Sequence, residues 1–143
     1  MKKINFLALG IVFIGLITLS ACSKEKKIEK NLWKNGGEWN VESQTAKQTS
    51  TIASDNFDET LVNVGTYTFY EDGTGSYKNN VELQPIAFTY SITENKLTIV
   101  MGNYSRVYDI VEWKKNNLKI SYLYNFYLGG TGTYTETITL KKK

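Results

Sequence analysis

Hydrophobic and polar residues alternate along most of the chain beyond residue 60. In LKISYLYNFYL, Leu118, Ile120, Tyr122, Tyr124, Phe126 and Leu128 fall on one face of an extended strand, with Lys119, Ser121 and Asn125 on the other. Phe88, Tyr90 and Ile92 alternate with Thr89 and Ser91, Leu97, Ile99 and Met101 line up likewise, and Tyr134, Ile138 and Leu140 alternate with threonines. A period of two over so many segments predicts a sheet with one face buried.

Turn residues fall between these segments. Asp72-Gly73-Thr74-Gly75 is a tight hairpin signal, because glycine accepts the positive φ that such loops need. Glu94-Asn95-Lys96, Gly102-Asn103, Asn116-Asn117 and Gly129-Gly130-Thr131-Gly132 divide the rest. The spacing predicts eight strands, near 38–45, 62–70, 75–81, 86–93, 96–101, 104–113, 117–128 and 133–141. One proline and many Tyr, Thr, Val and Ile agree with an all-β chain. The expected fold is an eight-stranded antiparallel up-and-down β-barrel, with a two-sheet β-sandwich as the rival. The body holds enough residues for one domain and not for two.

The first 31 residues follow other rules. Lys2 and Lys3 precede an apolar run, Ile4 to Leu19, which ends in Leu19-Ser20-Ala21-Cys22. A basic start, a short apolar stretch and small residues at its end predict a secretory signal peptide over 1–21. Leu-Ser-Ala-Cys also resembles the lipobox of bacterial lipoproteins. That resemblance implies cleavage before Cys22, a thioether to diacylglycerol on its sulfur and acylation of the new amino group. It accounts for the chain's lone cysteine, which then needs no disulfide partner. The implied partner is a membrane, reached through the lipid anchor. Ser23, standing where an inner-membrane retention signal would have Asp, favours the outer membrane. Residues 22–31 read as the lipidated Cys and a flexible charged tether, with a coil reach of roughly 15–18 Å, and 32–143 as the barrel domain.

Charge narrows the partners. The formal +3 comes from the ends: residues 24–30 carry four Lys and two Glu, and Lys141–Lys143 add three more. Between Asn31 and Leu140 stand eight basic and twelve acidic side chains, a net of −4. A nucleic-acid binder needs a basic face on its body, so no nucleic-acid partner is expected. Protein partners are not legible.

Several short motifs together resemble the lipocalin-like lipoprotein domains common in Bacteroidota, over roughly 32–140. Gly37-Glu38-Trp39 has the form of the lipocalin Gly-x-Trp signature. Phe69-Tyr70-Glu71-Asp72-Gly73-Thr74-Gly75-Ser76-Tyr77, Tyr90-Ser91-Ile92, Asn95-Lys96-Leu97-Thr98-Ile99, Tyr108-Asp109-Ile110 and Leu118-Lys119-Ile120 continue it in order. The resemblance implies an eight-stranded barrel. Lipocalins commonly pack the first-strand Trp against an Arg near the last strand, whereas this last strand offers only Lys141–Lys143. Either the sole arginine, Arg106, takes that role from the sixth predicted strand, or the closure is absent.

Catalytic chemistry is thin. There is no His, which removes the usual general base and the commonest metal ligand. The one Cys is assigned to lipid. Glu71-Asp72 leads into a hairpin and reads as turn chemistry. No enzyme, cofactor or metal site is expected. The predicted ligand-binding residues are Trp39, Phe69, Phe88, Tyr90, Arg106, Tyr108, Tyr122 and Tyr124, around a small apolar or amphipathic ligand. Arg106 has two readings. With Tyr104, Tyr108 and Ile110 it faces inward, partnered by Glu136 or by a ligand carboxylate; otherwise Val107, Asp109, Val111 and Trp113 face inward and Arg106 meets solvent. The polar stretch Glu42–Thr60 is expected as a lid at the open end or, alternatively, as a long edge hairpin or disordered excursion without a ligand. The functional rival to a binding barrel is a non-catalytic envelope structural or protein-interaction module with a solid core.

Overall fold

The computed structural model describes residues 24–82, 84–127 and 130–143. The expected signal peptide, Cys22 and Leu128 lie outside the described residues. Residues 24–33 form a helix, α1, followed by a 3-10 turn at Lys34–Gly36. The strands are β1 (Glu38–Ser50), β2 (Phe57–Val62), β3 (Gly65–Phe69), β4 (Thr74–Asn79), β5 (Ile86–Thr93), β6 (Lys96–Met101), β7 (Tyr104–Lys114), β8 (Asn117–Phe126) and β9 (Gly132–Lys142).

All neighbours are antiparallel, and the sheet closes where β9 returns to pair with β1 from Trp39↔Lys142 to Ser50↔Gly132. Eight strands therefore make a closed barrel, and the sandwich alternative does not hold. The extra strand, β2, pairs with the far half of β1, Ser43↔Val62 to Gln48↔Phe57, beyond the short β1–β3 ladder at Glu38–Asn40. The Glu42–Thr60 stretch is thus a long rim hairpin. Every residue of β2 is exposed.

Two bulges set which side chains point inward. Val41 pairs with Leu140 and Ser43 with Thr139, so Glu42 is an extra residue. The inward set passes from Trp39 and Val41 to Gln44, which faces Ile138. In β7, Ile110 pairs with Ile120 and Glu112 with Lys119, which leaves Val111 extra. Tyr108, Ile110 and Trp113 therefore all turn toward the interior. This resolves the two readings of β7 in favour of an inward Tyr108–Ile110 face, and places Trp113 inward as well.

One end of the barrel is solid. Trp39, Val41, Phe69, Leu97, Leu118, Ile120, Ile138 and Leu140 are each almost fully buried there. Gly75 makes room for one ring: a Cβ at that position would sit 2.4 Å from the Phe88 side chain. Gly37 has φ +64°, and a Cβ there would meet the Phe69 carbonyl oxygen at 2.0 Å, so the residue before the Trp strand must be glycine. Phe69 N–H in turn donates to Gly37 O at 2.9 Å.

The segment expected to be a flexible tether is instead helical from residue 24. A short isolated helix is marginal alone, and the described residues 24–33 are stabilised by packing. Ile28 and Leu32 are wholly buried against the barrel, and Trp33 packs beside them. Polar contacts fix its place. Trp39 Nε1–H donates to Leu32 O at 2.9 Å, Asn31 Nδ2 to Lys115 O at 3.1 Å, and the Glu94 amide to Glu25 Oε1 at 2.5 Å. α1 is a stopper over the solid end. We expect Leu32→Ala to lower unfolding free energy in urea by about 2–4 kcal/mol through the cavity it leaves. A loss below about 0.5 kcal/mol would mean that the segment behaves as a tether.

Candidate functional site: an open cup above a buried carboxylate

Along β9 the inward residues run Leu140, Ile138, Glu136, Tyr134, and the interior changes character at Glu136. Its side chain is only 2 % exposed. Three donors converge on it: Gln44 Nε2 reaches Oε1 at 2.6 Å, Arg106 Nη1 reaches Oε2 at 2.6 Å, and Tyr108 Oη reaches Oε2 at 3.1 Å. A carboxylate withdrawn from water is tolerated where charge-assisted hydrogen bonds replace its hydration. Two strands supply them, β1 with Gln44 and β7 with Arg106 and Tyr108, and the β1 bulge is what turns Gln44 inward.

Arg106 differs from its partner in exposure. Its side chain is 46 % exposed, and its guanidinium carbon lies 5.5 Å from the centre of the Tyr122 ring. Burial alone would push its pKa down; the neighbouring Tyr108 hydroxyl and the Glu136 charge more than offset this, so Arg106 sits above the ordinary arginine value.

Beyond this layer the barrel is hollow. A cavity of about 560 Å³ is walled by Tyr67, Tyr77, Ile86, Ile99, Met101 and Tyr104, with Gln44, Arg106, Tyr108 and Glu136 at its polar side. On the other side of Arg106 a second recess runs toward the β1–β2 hairpin, lined by Gln48, Asp55, Tyr122, Tyr124, Phe126 and Tyr134. Tyr104 and Arg106 border both spaces. The cup combines apolar wall with few, directed polar groups, the usual make-up of a small-molecule site.

The sequence-predicted lining divides in two. Arg106, Tyr108, Tyr122 and Tyr124 reach the cup or the adjoining recess. Trp39, Phe69, Phe88 and Tyr90 belong to the filled half. Phe69 stacks edge-on against Phe88 at 5.5 Å and Tyr90 at 5.0 Å, and the Tyr90 hydroxyl donates to Tyr70 O at 2.7 Å. They share the correct face but lie too near the stopper.

Trp39 has its cation after all: Lys142 Nζ stands 5.0 Å above its ring. Neither alternative for that closure holds, since a last-strand lysine takes the place and Arg106 binds Glu136. Sequence reasoning missed Gln44, Tyr67, Tyr77, Ile86, Ile99, Met101 and Tyr104 as lining. Tyr67 shares parity with Phe69, and Ile99 with Leu97, so their inward facing was readable; their height in the barrel was not. The Asp72 carboxylate, read as turn chemistry, accepts from Thr74 N at 2.9 Å and Thr74 Oγ1 at 2.6 Å, and the side-chain bond holds its pKa below the usual value. Among the described residues no group of three or more His, Cys, Asp or Glu is placed to hold a metal ion.

The family model of the lipocalin-like domain matches residues 36–120, more than half of the chain. The chain belongs to the lipocalin-like family. The matched segment runs from the 3-10 turn through the first part of β8; β9, which closes this lipocalin-like barrel and carries Glu136, follows it. A lipocalin-like barrel is a ligand-binding fold. No curated protein matches the chain.

The tyrosines offer a check on the interior. Burial, then the charges of Tyr108 and Tyr77, raises Tyr67 above the ordinary tyrosine value; burial, then Glu136, raises Tyr108. Burial pushes Tyr90 up to about 12. A phenol whose folded pKa is raised favours the folded state fully below its unfolded value of about 10, and that contribution is lost as pH climbs through the folded value. We expect tyrosinate absorbance to show a late cooperative phase above about pH 12 that coincides with loss of the β-sheet signal. Complete ionisation of all tyrosines with the sheet intact would contradict the buried placement.

Proposed function

We propose that this lipocalin-like protein is an envelope lipoprotein, anchored in the outer membrane through acyl chains on Cys22, whose cup binds one small amphipathic ligand. The observation that carries the binding reading is the cavity of about 560 Å³ above Glu136, with an apolar and aromatic wall on one side and a half-exposed arginine on the other. The apolar part of the ligand lies against Ile86, Ile99 and Met101. Its polar head, an acid or another hydrogen-bond acceptor, takes the donors that Arg106 keeps after bonding Glu136. The rival solid-core module describes only the half of the barrel under α1. The lipobox-like Leu19–Cys22 supports the anchor, and the family fold supports binding without catalysis.

Arg106 is tested without stranding the buried carboxylate by removing both charges together. Arg106→Ala combined with Glu136→Gln leaves no unpaired ion. Native mass spectrometry of protein isolated gently from its own cells is expected to show a stoichiometric extra mass that denaturation releases. For a long-chain acid as probe, the double variant should bind about tenfold or more weakly than the parent, the loss typical of a charge-assisted hydrogen bond. Equal affinity in the two proteins would remove the role of Arg106. Absence of any bound or bindable amphiphile would remove the binding reading itself.

A further inference from the structure

The closed end carries a second cavity, and it is basic. Lys27, Lys30 and Asn31 on α1, with Lys34 just after it, recur at the i, i+3, i+4 and i+7 spacing of one helical side. Ile28 and Leu32 face the barrel, and Glu25 is turned to the Glu94 amide on the other flank. The helix therefore sorts its charges. The lysine side meets the β7–β8 turn and the end of β9 around a cavity of about 490 Å³, walled by Lys27, Lys30, Lys34, Lys115, Lys142 and Trp113.

Two observations suit this cavity to an anion. Five lysines elsewhere have carboxylate partners, Lys47 with Asp58, Lys96 with Asp109, Lys114 with Glu112, Lys141 with Glu42 and Lys143 with Glu38, while among the described residues Lys24, Lys26, Lys78 and Lys119 form no ion pair and do not line this cavity. Among the described residues Lys27, Lys30, Lys34 and Lys115 have no such carboxylate within reach. Independently, Trp113, a residue that lines the cavity, carries a buried Nε1–H that finds no acceptor among the described residues. A buried N–H without a partner calls for a missing acceptor. Like charges gathered round the same space repel until an anion enters. Lys142 already registers this, its pKa lowered by burial and then by the charge of Lys34. An oxyanion with several acceptor oxygens meets both needs at once, and lysines are point-charge binders of phosphate.

We propose that this pocket holds the phosphate of an anionic phospholipid headgroup and seats the closed end of the barrel on the membrane. The choice of a lipid over free phosphate rests on the proposed anchor. Cys22 precedes Lys24 by two residues, and an extended chain spans about 3.5 Å per residue. With α1 fixed against the barrel, a chain of two residues holds the proposed acyl chains within about 10 Å of Lys24, which brings the lysine side to the headgroups. The cup then opens away from the bilayer.

Amine acetylation read by mass spectrometry tests this on the protein as the cell makes it, transferred to nanodiscs of phosphatidylcholine alone or with one third phosphatidylglycerol. Retention on the neutral discs reports the anchor. The difference between the two discs reports the pocket. A phosphate beside a lysine stabilises its charged form, so Lys27, Lys30, Lys34 and Lys115 are expected to react about fivefold more slowly on the anionic discs. Lys78, on β4 toward the open end, should react equally on both. Trp113→Phe, which removes only the indole donor, should reduce that protection, whereas diffuse surface attraction would leave it unchanged. Equal reactivity on both discs overturns the proposal, as does protection that Trp113→Phe does not alter. Protection produced by inorganic phosphate on neutral discs but not by the anionic lipid overturns the lipid assignment.

Discussion

Glu136 divides this barrel. A carboxylate at 2 % exposure is expensive to hold in a protein interior, and it stays there because β1, β7 and β9 bring Gln44, Arg106 and Tyr108 to its two oxygens. Below it the inward positions are filled by Ile138, Leu140, Leu118 and Trp39. Above it stand tyrosines, a half-exposed arginine and open volume. An eight-stranded barrel is just wide enough to be filled by its own side chains or to hold one small ligand. This one does the first in one half and offers the second in the other.

The two halves support each other mechanically. The solid half fixes the register of the strands, and α1 closes it with Ile28, Leu32 and the Trp39–Leu32 hydrogen bond. With that end rigid, Gln44, Arg106 and Tyr108 are positioned by backbone that has little freedom, so the cup is shaped before any ligand arrives. The same stopper gathers Lys27, Lys30 and Lys34 at the closed end, while the body between the ends is net acidic. Charge and apolar volume are thus separated along the barrel axis.

Much of the architecture was legible because burial leaves a period-two trace. Leu97, Ile99, Leu118, Ile120, Ile138 and Leu140 were all read on the correct face, and the turns at Asp72–Gly75 and Glu94–Asn95 fall where their residues imply. The second is a pair of left-handed residues, with φ 52° and 62°, as a tight hairpin requires. What failed to show has physical reasons. The far half of β1 is polar and β2 is exposed throughout, so no alternation marks them, and the stretch Glu42–Thr60 reads as well as a lid as it does as the edge hairpin that it forms. The bulges at Glu42 and Val111 change parity without any residue that announces it, which hid Gln44 and made Trp113 seem an alternative to Tyr108. The lysines of α1 mask it: Ile28, Leu32 and Trp33 are its only apolar residues among those described, too few to stand out in a charged run. Height in the barrel leaves no periodic signal at all, so Phe69, Phe88 and Tyr90 were placed in a cup that lies beyond them.

The account turns on whether Glu136 accepts three real hydrogen bonds at the boundary between packed and hollow interior. The most direct measurement is the unfolding free energy of Glu136→Leu in urea at neutral pH. The network predicts a loss of about 2–3 kcal/mol, because Gln44, Arg106 and Tyr108 would surrender their shared acceptor and the buried Tyr108 hydroxyl would be left without one. A stability equal to or above that of the parent would mean that a leucine completes a continuous dry core, and would contradict the division of the barrel.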